Sequence, residues 1–266
     1  MRGHEIIQVS HSWIEEQGYK VIYGDTDSLF VWLGEEFDDC QREEPMTAEE
    51  IGSSLAQSLN VWWTQRLKEK FDIVSALEIE FETHYRDFLM PTIRGSEKGS
   101  KKRYAGTIDK DGVKEMVFKG LETVRTDWTE LAKDFQQQLY QMVFEKKEYR
   151  DYIQYVVNEV LQGLRDSDMI YQKRLRRPLL GYQKSNPPHV KAARKWESHA
   201  QKSMRRGDRI NYVITLSGPE PIEYQQSPID YQHYIDKQLK PIADSILCFL
   251  DDSFEKVTQK QLELLW

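Results

Sequence analysis

The chain has 266 residues, of which 39% are hydrophobic, 12% aromatic and 30% charged. That length is enough to bury a core in one or two domains, and the aromatic content excludes a mostly disordered chain. No uncharged apolar run approaches the ~20 residues of a membrane span, and Cys40 and Cys248 are too few and too far apart for a disulfide framework or a cysteine-based zinc site, so a soluble, cytoplasmic protein with no membrane partner is expected.

In chain order, Ile6, Ile7, Val9, Trp13 and Ile14 recur at helical spacing up to Gly18, a C-terminal stop. Residues 19–23 and 28–33 are β-rich and flank Gly24-Asp25-Thr26-Asp27, which predicts a β-hairpin with a four-residue polar turn. Residues 34–46 read as an acidic loop. Thr47 with Glu50 three residues on is a capping box heading a helix to about Leu67. Residues 77–81 predict a strand and 94–101 a Gly/Ser/Lys loop. Residues 103–108 and 114–119 predict a second hairpin around Asp111-Gly112. From Trp128 the pattern turns helical, over 131–144 and 149–164. A basic stretch broken by Pro178, Pro187 and Pro188 follows, then a short strand over 211–216 ended by Gly218-Pro219-Glu220-Pro221, then helical spacing over 231–250 that continues to the C-terminus. The fold class expected is α+β, with a sheet-and-helix portion over 1–127 and a mainly helical portion over 128–266.

The formal net charge of −7 hides an uneven distribution. Residues 171–209 hold twelve Lys/Arg against only Glu197 and Asp208, a balance of +10 that leaves −17 for the remainder. A basic block inside an acidic chain is the footprint of polyanion binding, whereas a merely solvated face intersperses acids. At the other chemical extreme, Asp25 and Asp27 are ordinary turn residues by type, yet hydrophobic strands on both sides hold them rigidly. Carboxylates so held suit hard cations such as Mg²⁺, which bind through one or two carboxylates, waters and substrate phosphates.

Tyr23-Gly24-Asp25-Thr26-Asp27-Ser28 resembles the YGDTDS motif of family B DNA polymerases. Further motifs follow in that family's order. Leu77-Glu78-Ile79-Glu80-Phe81-Glu82 looks like its acidic palm strand, Lys101-Lys102-Arg103-Tyr104-Ala105-Gly106 like its KKRYAG motif, and Phe118 to Asp127 like its KGxExVRxD segment. The resemblance covers essentially the whole chain, as the family's palm half (1–127) and thumb (128–266). It implies that Asp27 is a direct ligand of a two-Mg²⁺ catalytic site, with Asp25 a weaker acid beside it and Glu82 an additional metal acid; charged residues that protect a sheet edge are the alternative for the glutamates. It implies that Lys101, Lys102, Arg103, Tyr104, Lys119 and Arg125 serve primer-template binding, although Arg125 with Glu122 and Asp127 reads equally as an internal ion-pair network. Lys173, Arg174, Arg176, Arg177, His189 and Arg194 resemble the thumb's grip on the product duplex; a lone His such as His189 is otherwise structural. Gly207 to Val213 looks like the family's GxxIxYV strand, with Tyr212 in the core.

A family B polymerase also needs a DxxSLYPS aspartate motif and a fingers helix with KxxxNSxYG, and neither occurs in these 266 residues. The expectation is therefore half of a two-metal site that does not polymerise alone and needs the remaining polymerase half in a longer chain or in trans. Its partners are then primer-template DNA and deoxynucleoside triphosphates, in the bacterial cytoplasm on the nucleoid. The alternative is a duplex-DNA-binding module that kept the grip and lost catalysis; an unrelated DxD nuclease leaves KKRYAG unexplained. The terminal Gln261, Leu262, Leu264, Leu265 and Trp266 resemble the peptides with which bacterial polymerases bind a sliding clamp, the alternative being a last helix that packs them onto the thumb.

Overall fold

The computed structural model describes residues 3–34, 46–92, 102–183 and 185–263, with the backbone alone over 260–263. The fold is α+β, with short antiparallel sheets and packed helices. By packing, the chain divides into two compact units: Met1–Arg86 with Ile108–Glu115, and Asp87–Thr107 with Met116–Trp266.

In the first unit, helix α1 (Gly3–Glu16) stops at Gly18, whose φ of +89° is open to glycine without strain. Strands β1 (Lys20–Asp25) and β2 (Ser28–Trp32) form the first hairpin. Asp25 pairs with Ser28, so the loop is Thr26-Asp27 alone, tighter than the four-residue turn expected, and a bulge at Ile22 shifts the register between Val21 and Tyr23. Thr47 and Glu50 cap helix α2 (Ala48–Phe71) reciprocally, at 3.1 and 2.8 Å. The helix runs past Leu67 until Asp72 enters the left-handed region. Trp13, Ile14, Val21, Leu59, Trp63 and Leu67 form this unit's core. Trp63 is fully buried and satisfies its indole by donating to Ser10 Oγ at 2.9 Å.

The strand expected over 77–81 is not one. Leu77, Ile79 and Phe81 do alternate inward against the exposed Glu78, Glu80 and Glu82, so the two-residue period is realised. The backbone, however, finds its partner in a side chain: Asn60 of α2 donates to the Ile79 carbonyl at 2.7 Å and accepts from the Ile79 amide at 3.0 Å. One amide side chain thus does what a neighbouring strand would do. Gly52 of α2 lies against Phe81 so closely that a Cβ there would stand 2.2 Å from the ring.

Strands β3 (Asp87–Leu89), β4 (Tyr104–Lys110) and β5 (Val113–Lys119) form a sheet with β4 central; its hairpin tip, Ile108–Glu115, belongs to the first unit and the rest to the second. Its hairpin turns on Asp111 and Gly112, both at positive φ, as a two-residue loop matched to strand twist requires. Helices α3 (Glu130–Phe144) and α4 (Arg150–Leu161) follow. The basic stretch is more ordered than its prolines led one to expect. It holds strand β6 (Tyr171–Arg174) and helix α5 (Pro188–Ala200), which uses Pro188 at its first turn, where proline costs no hydrogen bond. Gly218 to Pro221, expected only to terminate a strand, is itself strand β8 (Gly218–Pro221), paired with β7 (Arg209–Thr215), which also pairs with β6. Prolines are tolerated there because β8 is an edge strand.

The last helical stretch is broken. Helix α6 (Tyr231–Tyr234) passes through a π-helical turn, Ile235–Leu239, into α7 (Lys240–Leu247). Pro241, at the start of α7, lacks the amide that a regular helix would use, and the wide turn precedes it. Asp251, at φ +52°, ends the run before α8 (Phe254–Glu263). The core gathers Leu131, Phe135, Leu139 and Tyr140 of α3, Ile153 and Val160 of α4, Val213 of β7 and Ile246 of α7. Buried Asp252 accepts from Arg150 Nε at 2.8 Å and Tyr149 Oη at 2.9 Å, tying the start of α4 to the entry of α8. No helix among the described residues is long and apolar enough to cross a membrane.

Candidate functional site

The acid pair of the first unit sits at the tip of the β1–β2 hairpin. Asp25 is half-buried and closes the ladder; Asp27 is exposed in the loop. Between them Thr26 has φ +38°, rare for a β-branched residue, and the Asp27 amide donates back to the Asp25 carbonyl across it. This three-residue turn is strained, and strain of this kind persists only where flanking structure imposes it. Both carboxylates are oriented by neighbouring hydroxyls: Thr26 Oγ1 donates to Asp25 Oδ1 at 3.0 Å, and Ser28 Oγ donates to Asp27 Oδ1 at 3.3 Å. Gly24 keeps the strands close, since a Cβ there would lie 3.1 Å from Leu29.

Beside Asp25, Tyr23 pairs across the ladder with Phe30, their rings 5.3 Å apart, and Tyr85 stacks on Phe30 at 6.2 Å. That contact carries the chain of Glu82 to within three residues of the hairpin face. Glu82 is exposed. Among the described residues no three His, Cys, Asp or Glu side chains form a metal cage. The donor set is thus two hard carboxylates on one rigid turn. It fits Mg²⁺, which keeps waters and substrate phosphates in its shell rather than requiring an all-protein cage.

The cations of KKRYAG fall into different settings. Lys101 lies outside the described residues. Lys102 has φ +63°, and its carbonyl comes so near Gly120 that a Cβ there would be 2.2 Å away. The two motifs are therefore packed backbone to backbone, which only glycine at 120 permits. Arg103 donates to buried Glu122, which also accepts from Gln136 Nε2 at 2.7 Å; Gln136 Oε1 in turn accepts from Thr123 N and Oγ1 at 3.0 and 2.7 Å. Tyr104 packs its ring against Phe88 at 5.2 Å. Lys119 is exposed at the end of β5. Arg125 grips Asp127 with two bonds of 3.0 and 2.9 Å, and Lys173 Nζ joins the same carboxylate at 2.8 Å. The Arg125 guanidinium first, then Lys173, hold the Asp127 carboxyl far below the usual carboxylate range despite partial burial. Of the internal ion-pair network read from the sequence, the Arg125–Asp127 pair forms, joined by Lys173, while Glu122 bonds Arg103 instead.

In the basic stretch, Arg174, Arg176 and Arg177 are exposed. Arg174 Nε donates to the Gly207 carbonyl at 3.0 Å, and Arg194 donates to Asn186 and to the Tyr182 carbonyl at 3.1 and 3.2 Å. His189 is half-buried, and burial first, then Lys173 and Arg176, pull its imidazole below the ordinary histidine value. Tyr212 is buried, its ring stacked 5.2 Å from Tyr171. Gln261 and Leu262 lie in the last turn of α8, while Leu264, Leu265 and Trp266 lie outside the described residues. Sequence reasoning missed Asn60 and Gln136. Both are lone amides on helix faces, and only the segments folded onto them reveal their work.

The sequence and the fold are similar to those of known proteins. The family described as DNA polymerase family B matches residues 2–249. The chain is 50% identical to DNA polymerase II of Escherichia coli over 270 residues, covering 99% of the chain and 34% of that protein. It is 29% identical to DNA polymerase 2 of Aeropyrum pernix, covering 98% of the chain and 28% of that protein. The solved family B DNA polymerase from Pyrobaculum calidifontis superposes with a TM-score of 0.57 at 25% identity, over 92% of this chain and 28% of that one. The chain thus spans about a third, or less, of the length of these relatives. Because the family match takes in both the acid hairpin and the basic helical unit, the chain belongs to DNA polymerase family B.

Proposed function

We propose that these residues are the palm half (1–127) and thumb (128–266) of a DNA-directed DNA polymerase: they supply one half of its nucleotidyl-transfer site and its grip on product duplex. The observation that carries the reading is the acid pair of YGDTDS, held at the tip of a strained turn with a hydroxyl aimed at each carboxylate.

Asp27, with Asp25 beside it and Glu82 as an additional acid, would hold Mg²⁺, which when bound supplies charge stabilisation for in-line displacement on a deoxynucleoside triphosphate. The chain's own residues do the rest. The Thr26 and Ser28 hydroxyls keep the carboxylates aimed, and Tyr23 with Phe30 walls the face beside them. Lys101, Lys102, Tyr104 and Lys119 line the primer-template without reading sequence, since phosphate contacts carry none. Arg103 and Arg125 serve the same contact chiefly by holding their own segments in place through Glu122 and Asp127. Lys173, Arg174, Arg176, Arg177, His189 and Arg194 hold the product duplex. The Gln261–Trp266 tail docks on a sliding clamp and so raises the effective concentration of enzyme on DNA.

These 266 residues alone do not polymerise, because a transfer site lacking one of its carboxylate motifs and the fingers lysine loses most of its rate. Primer extension with Mg²⁺ and all four nucleotides tests this. The expected result is no extension by the chain alone and extension once a polypeptide carrying the DxxSLYPS and NSxYG motifs is added. Robust extension by the chain alone overturns the split-site reading.

A further inference from the structure

We propose that Tyr182 is the positioning residue of the thumb's phosphate grip: a buried ring and backbone that set the exposed cations around it before DNA arrives. The inference deepens the duplex-binding reading above and rests on it. Tyr182 is only 8% exposed, so it cannot itself reach a ligand of any size. Yet four basic residues are placed by it. The Arg177 guanidinium lies over its ring, 5.0 Å from the centroid. His189 meets the same ring edge-on at 6.1 Å and 88°. The Tyr182 hydroxyl accepts from the Arg176 backbone amide at 3.1 Å, fixing the chain where Arg176 and Arg177 leave it. Its carbonyl accepts from Arg194 Nη2 at 3.2 Å.

Physically this solves a conflict. Clustering cations costs repulsion energy, and long flexible side chains cost rotamer entropy when a ligand freezes them. A ring face attracts a guanidinium, and a buried anchor holds its neighbours without neutralising them, as a carboxylate would. The contrast lies nearby: Lys173 and Arg125 share the Asp127 carboxylate, which offsets part of their charge. Arg177 has a second tie, to the Gly181 carbonyl at 3.3 Å, so ring and loop together fix its direction.

The test uses the full chain and a blunt duplex DNA, with affinity measured by fluorescence anisotropy between about 50 and 200 mM salt. Tyr182→Leu is expected to weaken binding about tenfold and to make the salt dependence shallower by one to two phosphate contacts. Tyr182→Phe keeps the ring and is expected to bind within about threefold of the native chain. Arg177→Lys, on the surface and safe for folding, keeps the charge but loses the planar stack, and is expected to weaken binding about fivefold. Native affinity and slope in a folded Tyr182→Leu overturn the proposal, as does a Phe variant as weak as the Leu variant. Should Tyr182→Leu fail to fold, full affinity in Arg177→Lys overturns it instead. Absence of salt-dependent binding by the native chain sinks the duplex-binding reading itself, a result distinct from all of these.

Discussion

The acid hairpin and the basic helical unit solve opposite electrostatic problems by different means. In the hairpin, two like charges stand two residues apart, and everything that aims them is local: a three-residue turn, the hydroxyls of Thr26 and Ser28, and a ladder closed by Asp25 and Ser28. In the basic unit, cations scattered from Lys173 to Arg194 are aimed by groups far away in sequence, such as Asp127, Gly207 and Tyr182. Local aiming makes the carboxylates insensitive to the rest of the fold; distant aiming makes the grip a property of the folded unit. Substitutions in the two regions should therefore fail differently.

The sharpest contrast lies at Asp27. In the polymerase completed with its missing half, Asp27→Asn is expected to lower nucleotide incorporation at least about a thousandfold, some 4 kcal/mol of barrier, while duplex affinity and melting temperature stay native. A parallel loss of folding would show that the hairpin is not self-sufficient. The mirror experiment neutralises Arg174, Arg176 and Arg177 together. Losing three phosphate contacts should flatten the slope of log K against log salt by about 2.7 and weaken binding by about 2–3 kcal/mol, leaving the acid pair untouched. An unchanged slope would place the grip elsewhere.

Between these extremes stands Glu122, which belongs to structure more than to either site. Glu122→Ala strands the Arg103 guanidinium and Gln136. An uncompensated charge in the interior costs 3–5 kcal/mol, and since Arg103 is about a third exposed, a loss of about 2 kcal/mol is expected in denaturant unfolding. Melting at the native temperature would show that the network contributes nothing. The smallest effect concerns Asp127. Its carboxyl titrates below its unfolded value, so it adds stability above about pH 4 that disappears as pH falls through the folded value. Asp127→Asn should remove that part of the acid-side dependence, worth at most about 1 kcal/mol because the cluster is well solvated. It should be visible as converging native and variant unfolding midpoints between pH 6 and pH 2.5. Midpoints that stay parallel over this range would assign the acid sensitivity to other carboxylates, such as Asp252.

How much of this was legible beforehand depends on the range of the interaction involved. The capping box of Thr47 and Glu50, the stop at Gly18 and the Asp111-Gly112 turn are decided within four residues, and each forms where the pattern predicts it. The acid pair was equally legible, since strands flank it on both sides. By contrast, residues 77–82 carry a strand's alternation without a strand's partner, because Asn60 on α2 supplies the hydrogen bonds. The prolines around 187 and 219 read as breaks, yet one opens a helix and the other rides a sheet edge; which of these a proline does depends on whether its missing amide would have needed a partner.

The sequence by itself determined the family, the α+β class, the paired carboxylates at a turn and the basic block, because motif identity, periodicity and charge are properties of neighbours along the chain. Only the tertiary structure decided which cations are spent on internal acids and which face outward. Arg103 and Arg125 look no different in sequence from Arg176 and Arg177, but Glu122 and Asp127 meet the first pair while Tyr182 braces the second. A charge is committed or kept available by what folds against it, and composition carries no record of that.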